Sequence, residues 1–156
     1  MLGAELRQGG KSVPGFMAVC GVIVILALVL GVGLESHLVL RHLVQTAPLW
    51  LLVVFGFIRS RATAWIALPL FLFWLAVMGL IWAYLLGLSH ILSGRFSGWE
   101  IAMTIIVGIA SILGVVAFVR SKSFLAPLAA TVLFVVVAAI QWTCFRVSFL
   151  PSIAHR

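Results

Sequence analysis

The sequence predicts an all-α integral membrane protein, built as a bundle of five transmembrane helices. The first observation is composition: 65% of the 156 residues are hydrophobic and only 8% are charged, whereas a soluble domain has about 25% charged residues. The second is that the apolar residues form runs of about 20, the length that an α-helix needs to cross the hydrocarbon of a bilayer. The third is that basic residues occupy the short gaps between these runs.

The predicted elements follow one another with little chain between them. Residues 1–13 are expected to form a short N-terminal tail, 14–147 the transmembrane bundle and 148–156 a short C-terminal tail. The first apolar run has 19 residues, which exceeds the usual length of about 7–15 in a signal peptide, so we expect a retained anchor. The apolar runs place the five helices at about 16–34, 38–58, 62–88, 101–119 and 124–145.

The second helix is the least apolar of the five. Its purely apolar part, 47–58, would reach only about 18 Å, whereas the longer segment 38–58 would reach about 31 Å and span the hydrocarbon. In this longer helix His37, Arg41 and Gln45 follow at intervals of four and are predicted to share one face, with a kink at Pro48. The alternative is a short interfacial helix followed by a re-entrant segment.

Basic-Ser-basic triplets follow the second and fourth helices, in predicted turns of three or four residues. Charged side chains are costly within the bilayer and favourable beside lipid phosphates, so these residues are expected to hold each turn at the headgroup layer. The predicted anchors are Arg59, Arg61, Arg120 and Lys122.

The basic residues also predict an orientation. The face with the two triplets carries six Lys and Arg residues in total, because it also has Arg7 and Lys11 near the N-terminus. The opposite face carries four, and the excess favours a cytoplasmic N-terminus. The lack of an organellar presequence and the compact design favour a bacterial inner membrane. The four opposing residues are Arg41, Arg95, Arg146 and Arg156.

Two segments of the chain resemble each other, GLESHLVLR at 33–41 and GLSHILSGR at 87–95. Each is followed by a helix that ends in a basic turn, as in a repeated two-helix unit, and parallel repeats occur in transporters. Chance similarity is the alternative, because Gly, Leu, Ser and Arg are common at helix ends. The corresponding residues are Gly33, His37, Arg41 and Arg59 in the first unit, and Gly87, His90, Arg95 and Arg120 in the second.

Polar residues at the ends of the helices opposite the triplets are the candidate binding residues: His37, Arg41, Gln45, His90, Arg95 and Glu100. One hypothesis is a haem or metal held by His37 and His90. The alternative is that the His residues hydrogen-bond headgroups, backbone or water. Glu100 begins the fourth helix, where it either complements the helix dipole or pairs with Arg41.

Small and polar residues line two faces of the fourth helix. One face has Thr104, Gly108 and Ser111, and the other has Ala110, Gly114 and Ala117. Small residues let helices approach closely in lipid, so packing is the preferred interpretation and a polar transport path along the first face is the alternative. Gln141 in the fifth helix is expected to make a packing hydrogen bond.

The absences in the sequence exclude several function classes. The chain contains no Asp, no phosphate-binding loop and no zinc-enzyme spacing, so we expect no enzyme, no metal and no identified cofactor. The scattered basic residues do not form a nucleic-acid-binding stripe. The expected partners are the lipid bilayer and other membrane subunits or a second copy. The preferred function is an accessory or assembly subunit or a small homo-oligomer, with a transporter or channel and a redox subunit as alternatives.

Overall fold

The computed structural model describes residues 2–88, 96–121 and 125–154, with side chains between Val13 and Ile153. Within these ranges the chain is helical and has no strand. His90, Arg95 and Lys122, which the sequence singles out, lie outside the described residues. The helices are α1 (Leu2–Leu26), which continues as a π-helix (Ala27–Gly33), α2 (Val39–Phe57), α3 (Thr63–Leu85), α4 (Gly98–Arg120), α5 (Pro127–Val147) and α6 (Pro151–Ala154).

Five of these helices are long and apolar enough to cross a membrane, so the predicted fold class is confirmed. The spans have 19 to 23 residues, which corresponds to about 29 to 35 Å of helix. Their hydropathy ranges from 1.4 for α2 to 2.8 for the first span, Val13–Gly33. The chain therefore has the architecture of a multi-pass membrane protein.

Helix α2 is one continuous helix that contains Pro48. Its 19 residues reach about 29 Å, so the alternative of an interfacial helix with a re-entrant segment is not observed. His37 lies in the turn before the helix, since α2 begins at Val39. The predicted stripe along one face of α2 therefore includes Arg41 and Gln45 but not His37.

Three helix ends have the same local structure, in which one residue takes a left-handed conformation. These residues are His37 (φ 55°), Arg59 (φ 56°) and Gly87 (φ 72°). At each end the following residue donates its N–H to the carbonyl five residues back, as Ser60 does to Phe55 at 3.0 Å. This is the Schellman arrangement, which satisfies carbonyls that the helix leaves unpaired. It lengthens the α2–α3 turn to residues 58–62, longer than the predicted three or four.

Several boundaries differ from the sequence expectation for identifiable reasons. Helix α1 begins at Leu2, within the expected tail, and the π-helical segment that ends it was not predicted. Helix α4 begins at Gly98 because Ser97 and Glu100 form a capping box. The α4–α5 connection comprises residues 121–126, also longer than predicted.

The five spanning helices pack in a ring rather than in chain order. Helix α1 packs against α2 and α4, α3 packs against α4 and α5, and α5 closes the ring against α2. Helix α3 also contacts α2 and α1 across the ring. Both predicted two-helix units, α1 with α2 and α3 with α4, form packed hairpins. The largest fully buried side chains are Trp74, Phe71, Met17, Leu49, Leu52 and Leu70.

Glycines set the closest approaches in this ring. A Cβ added at Gly56 would lie 2.6 Å from the Cβ of Ala18 and 2.8 Å from the carbonyl oxygen of Pro14, so α1 and α2 meet backbone to backbone. A Cβ added at Gly114 would overlap the ring of Phe71, so α3 and α4 interlock at that glycine. Such contacts replace the hydrophobic drive that lipid cannot supply between helices.

Contacts between helix ends define two faces of the bundle. On the face that carries the 58–62 turn, Trp65 and Phe118 pair edge to face with centroids 5.3 Å apart. The opposite face carries the 34–38 turn and the C-terminal segment. There the ring centroids of Tyr84 and Phe96 lie 6.0 Å apart. We call these the N-terminal face and the C-terminal face, respectively.

Candidate functional site

The polar side chains of the bundle concentrate at the C-terminal face, between the first half of α2 and the end of α5. Gln45 Nε2 donates to Ser148 Oγ at 3.0 Å, and Gln141 Nε2 donates to the Gln45 carbonyl oxygen at 3.0 Å. Ser148 Oγ in turn donates to the Phe145 carbonyl oxygen at 2.7 Å. We call this set, with the adjacent residues at its rim, the α2–α5 polar cluster: Arg41, Gln45, Gln141, Ser148 and Phe149.

The interior of this cluster is a helix-to-helix connection. Gln141 and Ser148 are fully buried and Gln45 nearly so. Interhelical hydrogen bonds in membranes contribute about 0.6 kcal/mol on average, so the pair of bonds fixes how α5 sits against α2 more than it adds stability. The packing hydrogen bond expected of Gln141 is observed. Its Oε1 is buried without a hydrogen-bond partner.

Arg41 lies at the rim of the cluster and is half-buried. Its guanidinium carbon is 4.0 Å from the centroid of the Phe149 ring, a cation–π contact. Its Nε is buried and has no acceptor. An unpaired buried donor costs about 1–3 kcal/mol, so this atom marks a position where the described part of the chain supplies no acceptor.

Glu100 does not pair with Arg41. One carboxylate oxygen accepts the Ser97 N–H at 2.8 Å, while Ser97 Oγ accepts the Glu100 N–H at 3.1 Å. Of the two sequence interpretations, the structure shows the one at the helix terminus, where the carboxylate also complements the helix dipole. The spacing of Ser97 and Glu100 is a capping-box signal that is readable in the sequence.

The other side of α2 carries two polar residues, His42 and Thr46, that were not among the predicted binding residues. His42 is buried, and its Nδ1 lies 3.0 Å from the carbonyl oxygen of Leu38. Thr46 is fully buried and its Oγ1 donates to the His42 carbonyl oxygen at 2.8 Å. Both bonds stay within one helix, so Thr46 Oγ1 and His42 Nδ1 have local partners.

The remaining candidate residues on the two faces are dispersed. His37 is exposed, while its proposed haem partner His90 lies outside the described residues. The three anchors that the structure describes, Arg59, Arg61 and Arg120, are exposed at the N-terminal face. Their position at helix ends agrees with the anchoring role, which stays a prediction.

The small-residue faces of α4 are only partly used within the chain. Thr104, Ser111 and Gly114 are buried, and Thr104 Oγ1 donates to the Ile101 carbonyl oxygen at 2.8 Å. A Cβ added at Gly108 would meet no atom within 4 Å, so Gly108 does not provide close packing here. The polar transport path suggested for this face stays a prediction.

The π-helical end of α1 forms a further feature of the C-terminal face. Trp99 Nε1 donates to the Gly31 carbonyl oxygen at 2.9 Å, and a Cβ added at Gly31 would lie 2.5 Å from Met103 Sδ. π-Helical segments are rare and often occur at functional sites. A shallow apolar groove of about 330 Å³ runs along this contact, lined by Ile23, Leu26, Ala27, Leu30, Gly31, Trp99, Met103 and Ile106.

No group of three His, Cys, Asp or Glu side chains that could hold a metal ion occurs among the described residues. Both cysteines, Cys20 and Cys144, are free. Comparison of the chain with protein-family models, with curated proteins and with solved structures finds no match. The α2–α5 polar cluster is therefore the candidate site, and its chemistry is that of hydrogen bonding and one half-buried cation.

Proposed function

We propose that this chain is a non-enzymatic multi-pass membrane protein that works through lateral contacts with another membrane-spanning chain. That chain is a further subunit of a larger complex, for which this protein acts as an accessory or assembly subunit, or it is a second copy of this protein. The proposal places the chain in a bacterial inner membrane. The excess of basic residues on the N-terminal face supports a cytoplasmic N-terminus.

The observation that carries the proposal is the low burial of α5. Only 17% of its span is buried, compared with 39% to 56% for the other four spans. Its buried positions are Ala130, Val137 and Gln141, a single narrow stripe. A helix held on one side only leaves most of its surface for a neighbour, and in lipid that neighbour has to be recruited by packing and hydrogen bonds.

The exposed side of α5 differs in kind from the exposed side of α4. On α4 the exposed positions are mainly large aliphatic residues, such as Ile105, Ile109 and Ile112. On α5 the middle of the exposed surface has smaller residues, Val132, Val135, Val136 and Ala139, whereas the larger Leu128, Ile140 and Trp142 are exposed nearer its ends. Smaller side chains permit closer approach of another helix, which favours α5 as the helix that contacts another chain.

The distribution of polar groups supports a role without catalysis. The polar side chains of the cluster interior bond to one another and to backbone carbonyls. The charged residues of the spans that the structure describes lie at helix ends, as Arg41, Glu100, Arg120 and Arg146 do. Such groups suit positioning at the bilayer surface rather than a pathway across it.

Photocrosslinking in intact membranes tests the proposal. A benzophenone amino acid is placed at Val135 of α5 or, as the matched control, at Ile109 of α4, because the two side chains are 57% and 54% exposed. We expect a protein adduct from Val135 and only lipid adducts from Ile109. The adduct mass distinguishes a second copy from another subunit. A strictly monomeric particle under mild extraction, with lipid adducts alone at both positions, would contradict the proposal.

A further inference from the structure

Arg41 has the features of a built binding group rather than of a solvated surface charge. It is the third residue of α2, its Nε is enclosed without an acceptor, and the Phe149 ring lies against its guanidinium. The ring contact restricts the orientation of the guanidinium, so its remaining donors point in a defined direction. A planar guanidinium matches two oxygens of a phosphate or carboxylate.

Among the residues that the structure describes, no anionic group is paired with Arg41. Of the two acidic residues near this face, Glu100 is engaged with the N–H of Ser97, and Glu35 is exposed. Neither forms an ion pair with Arg41. Helix α2 also begins without a side-chain cap, because its N-cap residue is Leu38. The positive end of the helix and the guanidinium therefore attract an anion to the same place.

The neighbours of Arg41 show which source of anion fits. Phe149, whose ring lies against the guanidinium, begins a row of aromatic side chains that continues along α5. Its ring centroid is 5.1 Å from that of Phe145, which is 6.4 Å from that of Trp142, and Phe149 and Trp142 are 48% and 57% exposed. In a membrane protein these side chains face acyl chains. A ligand bound at Arg41 thus has its anionic group at the end of the span, with apolar side chains beside it toward the middle of the bilayer.

We propose that Arg41 binds the phosphate of an anionic phospholipid. The guanidinium donates to the phosphate oxygens, with Nε donating to one of them, and an acyl chain lies along the aromatic row from Phe149 toward Trp142. A carboxylate from another protein chain and a free phosphate ion offer similar oxygens. Neither makes use of the apolar surface below the guanidinium, so the lipid is the ligand that the site favours.

Native mass spectrometry of the full-length protein tests this inference. The protein is released from detergent micelles after titration with phosphatidylglycerol, with phosphatidylcholine or with inorganic phosphate. The variant is Arg41→Gln, and the matched control is Arg146→Gln, which removes an exposed charge from the same end of the bundle. We expect wild type and Arg146→Gln to retain phosphatidylglycerol in preference to phosphatidylcholine. In Arg41→Gln its affinity falls by about tenfold or more.

Phe149→Leu keeps the charge and removes the ring, which keeps the test decisive if Arg41→Gln does not fold. We expect about two- to fivefold weaker phosphatidylglycerol binding in this variant. Equal loss from Arg41→Gln and Arg146→Gln, or no loss from any variant, overturns the inference. The inference is also overturned if inorganic phosphate binds as tightly as phosphatidylglycerol. It is overturned as well if a co-purified chain places a carboxylate against position 41. The test measures lipid binding to the purified protein and requires no partner chain, so it can fail independently of the proposed function.

Discussion

Two residues in the bundle adopt a backbone conformation that their side chains disfavour. His37 and Arg59 take the left-handed conformation at helix ends, where Gly87 takes it at the end of α3. For residues other than Gly this conformation costs roughly 1–2 kcal/mol. Arg59 is one of the predicted headgroup anchors, and that predicted role is a reason for a charged residue at this position. His37 has no comparable reason in the structure.

The substitution His37→Gly tests whether the imidazole has a role that offsets this strain. We expect the free energy of unfolding to rise by about 1 kcal/mol, because Gly adopts the left-handed conformation without a Cβ clash. Reversible unfolding in an SDS titration measures the change. The reciprocal control Gly87→Ala is expected to lower stability by a similar amount. A loss of stability in His37→Gly would instead show that the imidazole makes a stabilising contact.

At the residue scale the sequence predicted types of interaction better than partners. It predicted that Gln141 makes a packing hydrogen bond, and the helix terminus was one of the two interpretations that it left open for Glu100. It did not predict that Arg41 meets Phe149 or that Gln45 meets Ser148. Those pairs depend on the rotation and order of α2 and α5 in the bundle, which the periodicity of a single helix does not contain.

The glycines of α4 show how one helix uses its small residues unequally. Gly114 is buried against the ring of Phe71, whereas a Cβ at Gly108 would meet no atom within 4 Å. The two lie on the same helix, six residues apart, and have the same intrinsic backbone preference. Only the neighbour that each one faces distinguishes them.

This contrast predicts opposite effects of the same substitution. Gly114→Ala is expected to destabilise the α3–α4 pair by about 1–3 kcal/mol, because the methyl group has to displace an aromatic ring within a packed interface. Gly108→Ala, the matched control, is expected to stabilise the helix by about 0.5–1 kcal/mol. The same SDS titration compares them. Equal effects at both positions would mean that α3 and α4 do not interlock at Phe71.

At the element scale, length and hydropathy were sufficient to predict five spans. They were not sufficient to predict where each helix begins and ends. The capping box starts α4 three residues before its apolar run, and the Schellman turns place extra residues between helices. The π-helical segment Ala27–Gly33 reads in sequence as ordinary apolar helix, since its form depends on contacts with α4 such as that of Trp99 with Gly31.

At the scale of the whole molecule, chain order and packing order differ. Helices joined by short connections usually pack side by side, which would place α5 beside α4. In the described part of the chain α5 packs instead against α3 and α2. Buried hydrogen bonds of Gln141 and Gln45 hold it there. This order was not predictable from the sequence, because polar pairing across the bundle requires knowledge of both partners.

The ring leaves α5 as the least buried helix and brings the α2–α5 polar cluster to the C-terminal face. Both proposals depend on this layout. A second chain is expected to contact the exposed side of α5, and a phospholipid is expected at Arg41 where α2 meets the end of α5. Both also require that the two faces lie on opposite sides of the bilayer.

Cysteine accessibility in intact cells or oriented vesicles tests that requirement most directly. Ser60→Cys and Ser121→Cys report on the N-terminal face, and Ser36→Cys and Ser152→Cys on the C-terminal face, in a chain whose native cysteines are replaced by alanine. An impermeant maleimide is expected to label positions 36 and 152 from outside, and positions 60 and 121 only after permeabilisation. Labelling of positions 60 and 121 from opposite sides would contradict the five-span bundle.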